Sequence, residues 1–337
     1  MAERPQRAGS KAAPEQAAQH PHLEPVEEQR RDAARAPARV APSRPEREPL
    51  PRALLRAARP RQWTKNVLVL AAPGAAGVLT QAPSLARTAV AFAAFSLAAS
   101  GTYLLNDVRD VEADRAHPRK RRRPVASGAV SEPLAVSVGV LLVAAGLGLA
   151  AAVNLMLVGL LVLYVALGAS YTLWLKHVAI MDIAIVASGF VIRAVAGGVA
   201  VGVPISRWFL IVASFGSLFM VAGKRHGEHL DLGDARAKVR ATLSEYSRDY
   251  LRYVLTTASA VTITAYCLWA FEQSGQHSGA VLFELSIVPF VLFMLRYALL
   301  LGHGRGSAPE DLVLGDRGLQ LAAAAWVLVY GAGVYLA

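Results

Sequence analysis

The fold is decided by residues 133–173, which read PLAVSVGVLLVAAGLGLAAAVNLMLVGLLVLYVALGASYTL. This stretch contains no Asp, Glu, Lys, Arg or His. An α-helix needs about 20 apolar residues to cross roughly 30 Å of hydrocarbon. The stretch therefore predicts two consecutive membrane-spanning helices, divided near Asn154.

The same pattern recurs on both sides of this stretch. It predicts an all-α, multi-pass membrane protein with nine spanning helices. The first stretch is weakened as a helix by Pro73 and its glycines. The nine apolar stretches are approximately residues 64–81, 86–105, 133–152, 154–173, 179–202, 206–223, 250–271, 280–300 and 318–336.

The composition excludes several other classes of protein. Of 337 residues, 54% are apolar and only 18% are charged, below the roughly 25% of an ordinary soluble domain. A soluble globular enzyme is therefore excluded, and the single Cys267 excludes an intrachain disulfide framework. The net charge of +11 is attributed to basic inner loops and anionic membrane lipids rather than to nucleic acid.

Residues 1–50 differ in composition from the rest of the chain. They hold nine Lys/Arg and eight Asp/Glu but no Phe, Trp or Tyr. Such a segment cannot bury enough apolar surface to offset its chain entropy. The sequence therefore predicts a disordered cytoplasmic tail over residues 1–50 and a membrane domain over residues 51–337.

The distribution of Lys and Arg predicts the orientation. The connections after the second, fourth, sixth and eighth stretches carry seventeen of these residues, whereas the other connections carry only Arg87 and Arg207. Basic loops are retained in the cytoplasm. We therefore expect a plasma-membrane protein with the N-terminus inside, the C-terminus outside and the even-numbered connections cytoplasmic.

An acidic motif provides the strongest chemical signal. Residues 106–114 read NDVRDVEAD at the cytoplasmic end of the second helix. At 100° per residue, Asn106, Asp107, Asp110 and Asp114 share about a third of the helix circumference. Crowded oxygen ligands without His or Cys are typical of Mg²⁺, so we expect these four to bind it. The alternative is a solvated acidic helix end paired with neighbouring arginines.

Cations follow the acidic motif and recur in a later inner loop. We expect Lys120, Arg121 and Arg123 to contact phosphate oxygens. The alternative is that they only anchor the loop to anionic lipid. Lys224 and Arg225, at the end of the sixth stretch, are expected to clamp an anion unless they are interfacial side chains.

Two charges lie eleven positions apart in or near the fifth stretch. Asp182 and Arg193 would face one side of a helix. A charge within the membrane faces a cavity or a partner, so a substrate role and a structural Asp–Arg pair both stay open. The remaining candidates for substrate binding are Lys65, Asn66, Tyr171 and Lys176.

At these residues the chain resembles the UbiA superfamily of intramembrane prenyltransferases. The Asn-Asp-x-x-Asp-x-x-x-Asp pattern is the first aspartate motif of that superfamily, and the resemblance covers about residues 55–337. The second motif of ordinary members, Asp-x-x-x-Asp, is incomplete because Val186 follows Asp182 four positions later.

The surrounding segments resemble one branch of the superfamily, the phosphoribosyltransferases that act on decaprenyl phosphate in cell-wall arabinan synthesis. The resemblance implies transfer of 5-phosphoribose from phosphoribosyl diphosphate to a polyprenyl phosphate with Mg²⁺. It places Asp107, Asp110 and Asp182 among the catalytic residues. The segments are RPRQWTKN (59–66), HPRKRRRP (117–124), YTLWLK (171–176), GKRHGE (223–228) and PEDLVLGDR (309–317).

Two rival functions remain. A prenyltransferase with an aromatic acceptor shares the fold and the metal, but the incomplete second motif argues against it. A transporter or channel is disfavoured because the charges cluster at one membrane face rather than at the midplane. The oligomeric state is left open, including a homo-oligomer.

Overall fold

The computed structural model describes residues 48–232, 242–275, 280–304 and 309–336, and every regular element among them is helical. The prediction of an all-α protein is confirmed. The predicted tail over residues 1–50 falls almost wholly outside the described residues. Four of the seventeen Lys and Arg residues counted above for the cytoplasmic connections also lie outside them, namely Arg236, Lys238, Arg240 and Arg305.

The helices follow one another without long connections in the described segments. A 3₁₀ helix of 11 residues covers Pro60–Leu70, and two shorter ones cover Lys120–Arg122 and Leu175–His177. The α-helices are α1 (Leu50–Ala58), α2 (Ala71–Ala75), α3 (Ala82–Arg109), α4 (Val111–Ala116), α5 (Glu132–Val153), α6 (Leu155–Leu173), α7 (Met181–Val201), α8 (Arg207–Leu232), α9 (Thr242–Glu245), α10 (Arg248–Ser274), α11 (Ala280–Leu285), α12 (Ile287–Gly302), α13 (Pro309–Gly315) and α14 (Arg317–Tyr335).

Eight helical segments of the described chain are long and apolar enough to cross a membrane, rather than the nine continuous helices that the sequence predicts. They are α3, α5, α6, α7, α8, α10, the pair α11–α12, and α14. The surfaces of α5 and α6 expose large apolar side chains, including Leu141 and Leu155, as contact with lipid requires. The chain is a multi-pass membrane protein.

The first predicted span, residues 64–81, is the exception. It is a 3₁₀ helix over Pro60–Leu70 followed by the short α2, because Pro73 cannot donate a backbone hydrogen bond and Gly77 turns the chain at φ +71°. A 3₁₀ helix rises about 2.0 Å per residue, so these two elements together extend roughly 30 Å. This irregular segment is therefore still long enough to cross the hydrocarbon.

Small residues let the irregular segment approach the bundle closely. A Cβ added to Gly197 of α7 would lie 1.7 Å from the carbonyl oxygen of Val69. A Cβ on Gly101 of α3 would lie 2.4 Å from the carbonyl oxygen of Gly139 on α5. Only glycine allows such backbone contact. The close contact at Gly197 holds the Pro60–Leu70 segment against α7 and places Asn66 in the protein interior.

Candidate active site

The sequence predicts that the acidic motif lies on one continuous helix, but in the structure it is divided between two helices. Helix α3 ends at Arg109, Asp110 adopts a turn conformation with φ −91° and ψ 10°, and α4 begins at Val111. Asp114 therefore belongs to a second helix. The break nevertheless keeps Asp107 and Asp114 together, and both side chains are buried.

Two arginines converge on this pair of carboxylates. Arg123 Nη1 lies 3.2 Å from Asp107 Oδ1 and 2.7 Å from Asp114 Oδ2. Arg59 Nη2 donates to the same Oδ1 of Asp107, and its guanidinium lies 4.8 Å from the centre of the Tyr103 ring. The predicted phosphate-contacting residue Arg123 is thus in direct contact with the acidic motif.

Arg59 reaches the motif from the junction between α1 and the first 3₁₀ helix. Its backbone has φ +54°, which is uncommon for a residue with a side chain. Ser100 of α3 holds both sides of the junction, since its Oγ lies 3.0 Å from the carbonyl oxygen of Ala58 and 3.0 Å from Nε1 of Trp63. The contact between Arg59 and Asp107 was missed by sequence reasoning because these residues are 48 positions apart.

The alternative of a solvated acidic helix end stays open, although Asp107 and Asp114 are buried rather than solvated. Arg115 bonds to Glu112 at 2.5 Å and to Glu132 at 3.1 Å, so it serves carboxylates outside the four predicted ligands. Asp110 faces Lys176, whose Nζ lies 3.8 Å from its Oδ1. The predicted substrate-binding residue Lys176 therefore approaches the acidic motif at Asp110.

One oxygen of the motif fits a cation. Asp107 Oδ2 is buried and has no hydrogen-bond partner among the described residues. A buried carboxylate oxygen without a donor is costly, and a divalent ion would satisfy it. The described part of the chain contains no cluster of three or more Asp, Glu, His or Cys side chains arranged around a metal position. The four-ligand magnesium site over Asn106, Asp107, Asp110 and Asp114 stays a prediction.

A second buried polar centre surrounds Asp182, at the start of α7. Asp182 Oδ2 accepts from Arg225 Nε at 3.0 Å and lies 3.3 Å from Thr242 Oγ1. Its Oδ1 accepts from the hydroxyl of Tyr246. Arg225 also bonds through Nη1 to Glu228 Oε2 at 3.0 Å. The centre therefore joins α7, α8 and the segment that follows α9.

The hydroxyl of Tyr246 has two roles in this centre. It donates to Asp182 and accepts from the backbone N–H of Ile180 at 2.6 Å. Burial, reinforced by the hydrogen bond to Asp182, raises the pKa of Tyr246 well above its ordinary value. The hydroxyl therefore stays protonated at physiological pH.

The predicted alternative of a structural pair between Asp182 and Arg193 is wrong. Among the described residues the arginine that donates to Asp182 is Arg225, whereas all three side-chain nitrogens of Arg193 donate elsewhere. They bond at 2.7 Å to Asn66 Oδ1, the Gly189 carbonyl and the Tyr164 hydroxyl. Helical spacing places two residues on one face but does not decide which neighbouring helix each one meets.

Arg193 and Asn66 form a buried network away from the acidic motif. Asn66 donates from Nδ2 to Ser96 Oγ at 2.9 Å, and the Arg193 guanidinium lies 4.6 Å from the Tyr164 ring centre. Asn66 is 0% exposed and Arg193 is 6% exposed. The structure thus brings these two predicted residues together, and their contacts connect the irregular first segment with α3, α6 and α7.

The other predicted cations differ in exposure. Lys120 and Arg121 are exposed, and the backbone of their turn is held by His117 Nδ1, which accepts from the Lys120 N–H at 3.3 Å. Lys65 and Lys224 are half-buried. Tyr171 is also half-buried. No contact in the described structure assigns a ligand to any of these five residues.

Comparisons with known proteins identify the fold and its relatives. The model of the UbiA prenyltransferase family matches residues 67–315. A decaprenyl-phosphate phosphoribosyltransferase of Mycobacterium tuberculosis is 48% identical over 286 residues, which cover 83% of this chain and 94% of that protein. A protein of the same name from Corynebacterium glutamicum is 45% identical over 289 residues. That match covers 84% of this chain and 87% of the Corynebacterium protein.

A solved structure agrees with the family match. The UbiA homologue of Archaeoglobus fulgidus, bound to GPP and Mg²⁺, superimposes with a TM-score of 0.66. The match covers 85% of this chain and all of that chain at 18% sequence identity. At this identity the likeness establishes the fold.

Proposed function

The chain belongs to the UbiA prenyltransferase family, and from that premise we propose that it transfers 5-phosphoribose from phosphoribosyl diphosphate to a polyprenyl phosphate, with release of diphosphate. The name shared by its relatives, decaprenyl-phosphate phosphoribosyltransferase, supports this reaction and decaprenyl phosphate as the acceptor. The observation that carries the proposal is the contact of Arg59 and Arg123 with the acidic motif at Asp107.

The donor has phosphate groups at both ends, so its site needs cations as well as carboxylates. Asn106, Asp107, Asp110 and Asp114 would hold Mg²⁺, and the orphaned Oδ2 of Asp107 supports this assignment. The ion would neutralise the diphosphate leaving group. The solved Archaeoglobus homologue binds Mg²⁺, which is consistent with a divalent ion in this fold.

The arginines and lysines around the motif would bind the phosphate oxygens. Arg123 and Arg59 are already oriented by Asp107, and Lys176 approaches Asp110. A guanidinium presents a planar fork that matches phosphate oxygens. We assign the further phosphate contacts to the cations Lys65, Lys120, Arg121, Lys224 and Arg225 with Tyr171.

The reaction itself would need little acid–base catalysis. A phosphate oxygen of the acceptor attacks C1 of the ribose while the bond from C1 to the diphosphate oxygen breaks. The acceptor is already an anion, so no strong general base is required. Asp182 would then act by positioning Arg225 and Tyr246, and Arg193 by orienting Asn66, because their polar atoms are engaged within the protein.

Sidedness and domain roles are part of the proposal. The Lys/Arg bias supports a plasma-membrane enzyme with its site and N-terminus on the cytoplasmic side. There the water-soluble donor would meet the acceptor phosphate, while the polyprenyl tail lies among the membrane helices. Residues 1–50 would be a tail outside the catalytic domain of residues 51–337.

The test uses the purified full-length protein with Mg²⁺, decaprenyl phosphate and phosphoribosyl diphosphate labelled in the ribose. We expect the label to move into the organic phase as a lipid-linked phosphoribose. A parallel reaction contains labelled prenyl diphosphate and an aromatic acceptor. Label that remains aqueous in the first reaction while the second yields product would replace the proposal with aromatic prenylation.

A further inference from the structure

Tyr246 lies outside the acidic motif, yet its contacts lead back to it. We infer that Tyr246 is a positioning residue of the donor site, which fixes the turn carrying Lys176 by holding the strained backbone of Ile180. The inference rests on the proposed function, because Lys176 is there assigned to the donor phosphates. It adds a residue from the segment after α9, which the sequence motifs do not include.

The backbone at Ile180 is unusual for its residue type. Ile180 has φ +68° and ψ −46°, close to the strained form of the γ-turn. A β-branched side chain makes a positive φ still less favourable. Such a conformation persists only when surrounding contacts determine it.

Tyr246 provides the contact that determines it. Its hydroxyl accepts the Ile180 N–H at 2.6 Å and donates to Asp182, so one side chain ties together the last residue before α7 and the first turn of that helix. The aromatic ring stacks on Tyr250 with its centre 5.6 Å away, and the residue is 3% exposed. Tyr246 is thus held rigidly, and it can hold Ile180 in turn.

The turn fixed in this way carries Lys176. Only Leu175–His177 and three further residues, Trp174, Val178 and Ala179, separate the end of α6 from Ile180. Within this short connection, Val178 N–H bonds to the Leu175 carbonyl at 3.2 Å, and Asp182 N–H bonds to the Val178 carbonyl at 3.1 Å. A change of φ at Ile180 would therefore shift Lys176 relative to Asp110, which now lies 3.8 Å from its Nζ.

The experiment measures kcat and both KM values in the full-length enzyme. Tyr246→Phe keeps the ring but removes both hydrogen bonds of the hydroxyl. We expect the KM for phosphoribosyl diphosphate to rise about tenfold, and the KM for decaprenyl phosphate to change less than about twofold. In a Lys176→Ala background, the same Tyr246→Phe change should raise the donor KM less than about twofold, because the positioned residue is gone.

Tyr250→Phe is the matched control, because Tyr250 stacks on Tyr246 and its hydroxyl is not among the contacts of Ile180 or Asp182. Its donor KM should equal that of the wild type. An unchanged donor KM in Tyr246→Phe, or a full additional increase in the Lys176→Ala background, would overturn the inference. If the wild-type enzyme transferred no phosphoribose at all, that result would instead contradict the proposed function.

A second variant keeps the inference testable if Tyr246→Phe does not fold. Glycine adopts a positive φ without steric cost, so Ile180→Gly removes the strain that Tyr246 is inferred to hold. If Tyr246→Phe fails to fold, the double variant Tyr246→Phe/Ile180→Gly should fold and recover a donor KM within about threefold of the wild type. A double variant that remains unfolded, or whose donor KM stays as high as in Lys176→Ala, would also overturn the inference.

Discussion

Arg225 donates from Nε to Oδ2 of Asp182 at 3.0 Å, and the two side chains are 3% and 0% exposed. Removing one partner of a buried ion pair leaves an uncompensated charge, whereas an exposed pair contributes little. This pair joins the start of α7 to α8, where Ile183 and Ala187 of α7 also share a buried apolar cluster with Val221 of α8. It therefore fixes the two helices beside the proposed site.

Asp182→Ala should destabilise the protein strongly. We expect a loss of about 3–5 kcal/mol, because the buried Arg225 would keep only Glu228 as a carboxylate partner and the hydroxyl of Tyr246 would lose its acceptor. Thermal unfolding in detergent measures the loss. Asp249→Ala is the control, since Asp249 is 93% exposed and lies 3.9 Å from Arg252. Equal unfolding temperatures for Asp182→Ala and the wild type would contradict the structural role of this pair.

Asp110→Ala should separate metal-dependent catalysis from folding. The Asp110 side chain is 36% exposed, so its loss should change stability by less than about 0.5 kcal/mol. Removal of a proposed metal ligand should lower Mg²⁺-dependent turnover at least about 100-fold. Chelation by EDTA should abolish wild-type turnover in the same assay.

The control for Asp110 is Glu112→Ala, which removes a carboxylate that is 81% exposed and pairs with Arg115. It should retain turnover. Binding of Mn²⁺ provides a readout besides activity, and it should weaken in Asp110→Ala only. Full Mg²⁺-dependent turnover in Asp110→Ala would exclude this residue from the metal site.

Arg59→Ala should raise the KM for phosphoribosyl diphosphate. A charge-assisted contact to phosphate is worth about 1.5–3 kcal/mol, which corresponds to roughly 10–100-fold. Arg59→Lys should be intermediate, because lysine keeps the charge but loses the planar fork. Arg56→Ala, which removes a half-exposed arginine bonded to Glu48 at 2.7 Å, should leave the KM within about twofold. Equal KM values for the Arg59 and Arg56 variants would argue against donor contact by Arg59.

The membrane-spanning helices could be predicted from the sequence where a continuous apolar stretch is long enough to cross the hydrocarbon. The charge-free stretch of residues 133–173 predicts two spans, and the structure has them at Glu132–Val153 and Leu155–Leu173. In hydrocarbon, every backbone polar group must be satisfied within the helix, so apolar length alone is informative. The segment that contains Pro73 is also apolar but is not a continuous α-helix. Its irregular backbone packs closely against Gly197 of α7.

The candidate site was predictable in its residue types but not in its pairing. The sequence identified the acidic motif and Arg123, which the structure brings together. It did not indicate that Arg59 reaches Asp107 or that Tyr246 reaches Asp182. Those contacts span 48 and 64 positions and depend on how separate helices pack, which local spacing does not encode.

Asp316 provides a test of pH dependence. It bonds through Oδ2 to Arg296 at 2.8 Å, and this contact lowers the pKa of Asp316 to about 2. A carboxyl whose pKa is lower in the folded state stabilises the protein above its unfolded pKa of about 4, and the contribution is lost as the pH falls toward 2. Asp316→Asn should therefore lower the unfolding temperature at about pH 6, with the difference shrinking below about pH 4. Asp311→Asn is the control, and a difference independent of pH would contradict the assignment.

Tyr164→Phe distinguishes a positioning role for Arg193 from the direct substrate contact that the sequence left open. The variant removes one of three hydrogen bonds of Arg193 and should cost about 1 kcal/mol of stability. Arg193→Ala should cost more, since the carbonyl of Asn66 then loses its donor in a buried site. Ser188→Ala on the same helix is the control, because in the described part of the chain the Ser188 hydroxyl donates to the Ala184 carbonyl of its own helix at 2.8 Å. If Arg193 acts by orienting Asn66, Tyr164→Phe lowers the unfolding temperature while the donor KM changes less than about twofold. The reverse result, an unchanged unfolding temperature with a strongly raised donor KM, would assign Arg193 to the substrate.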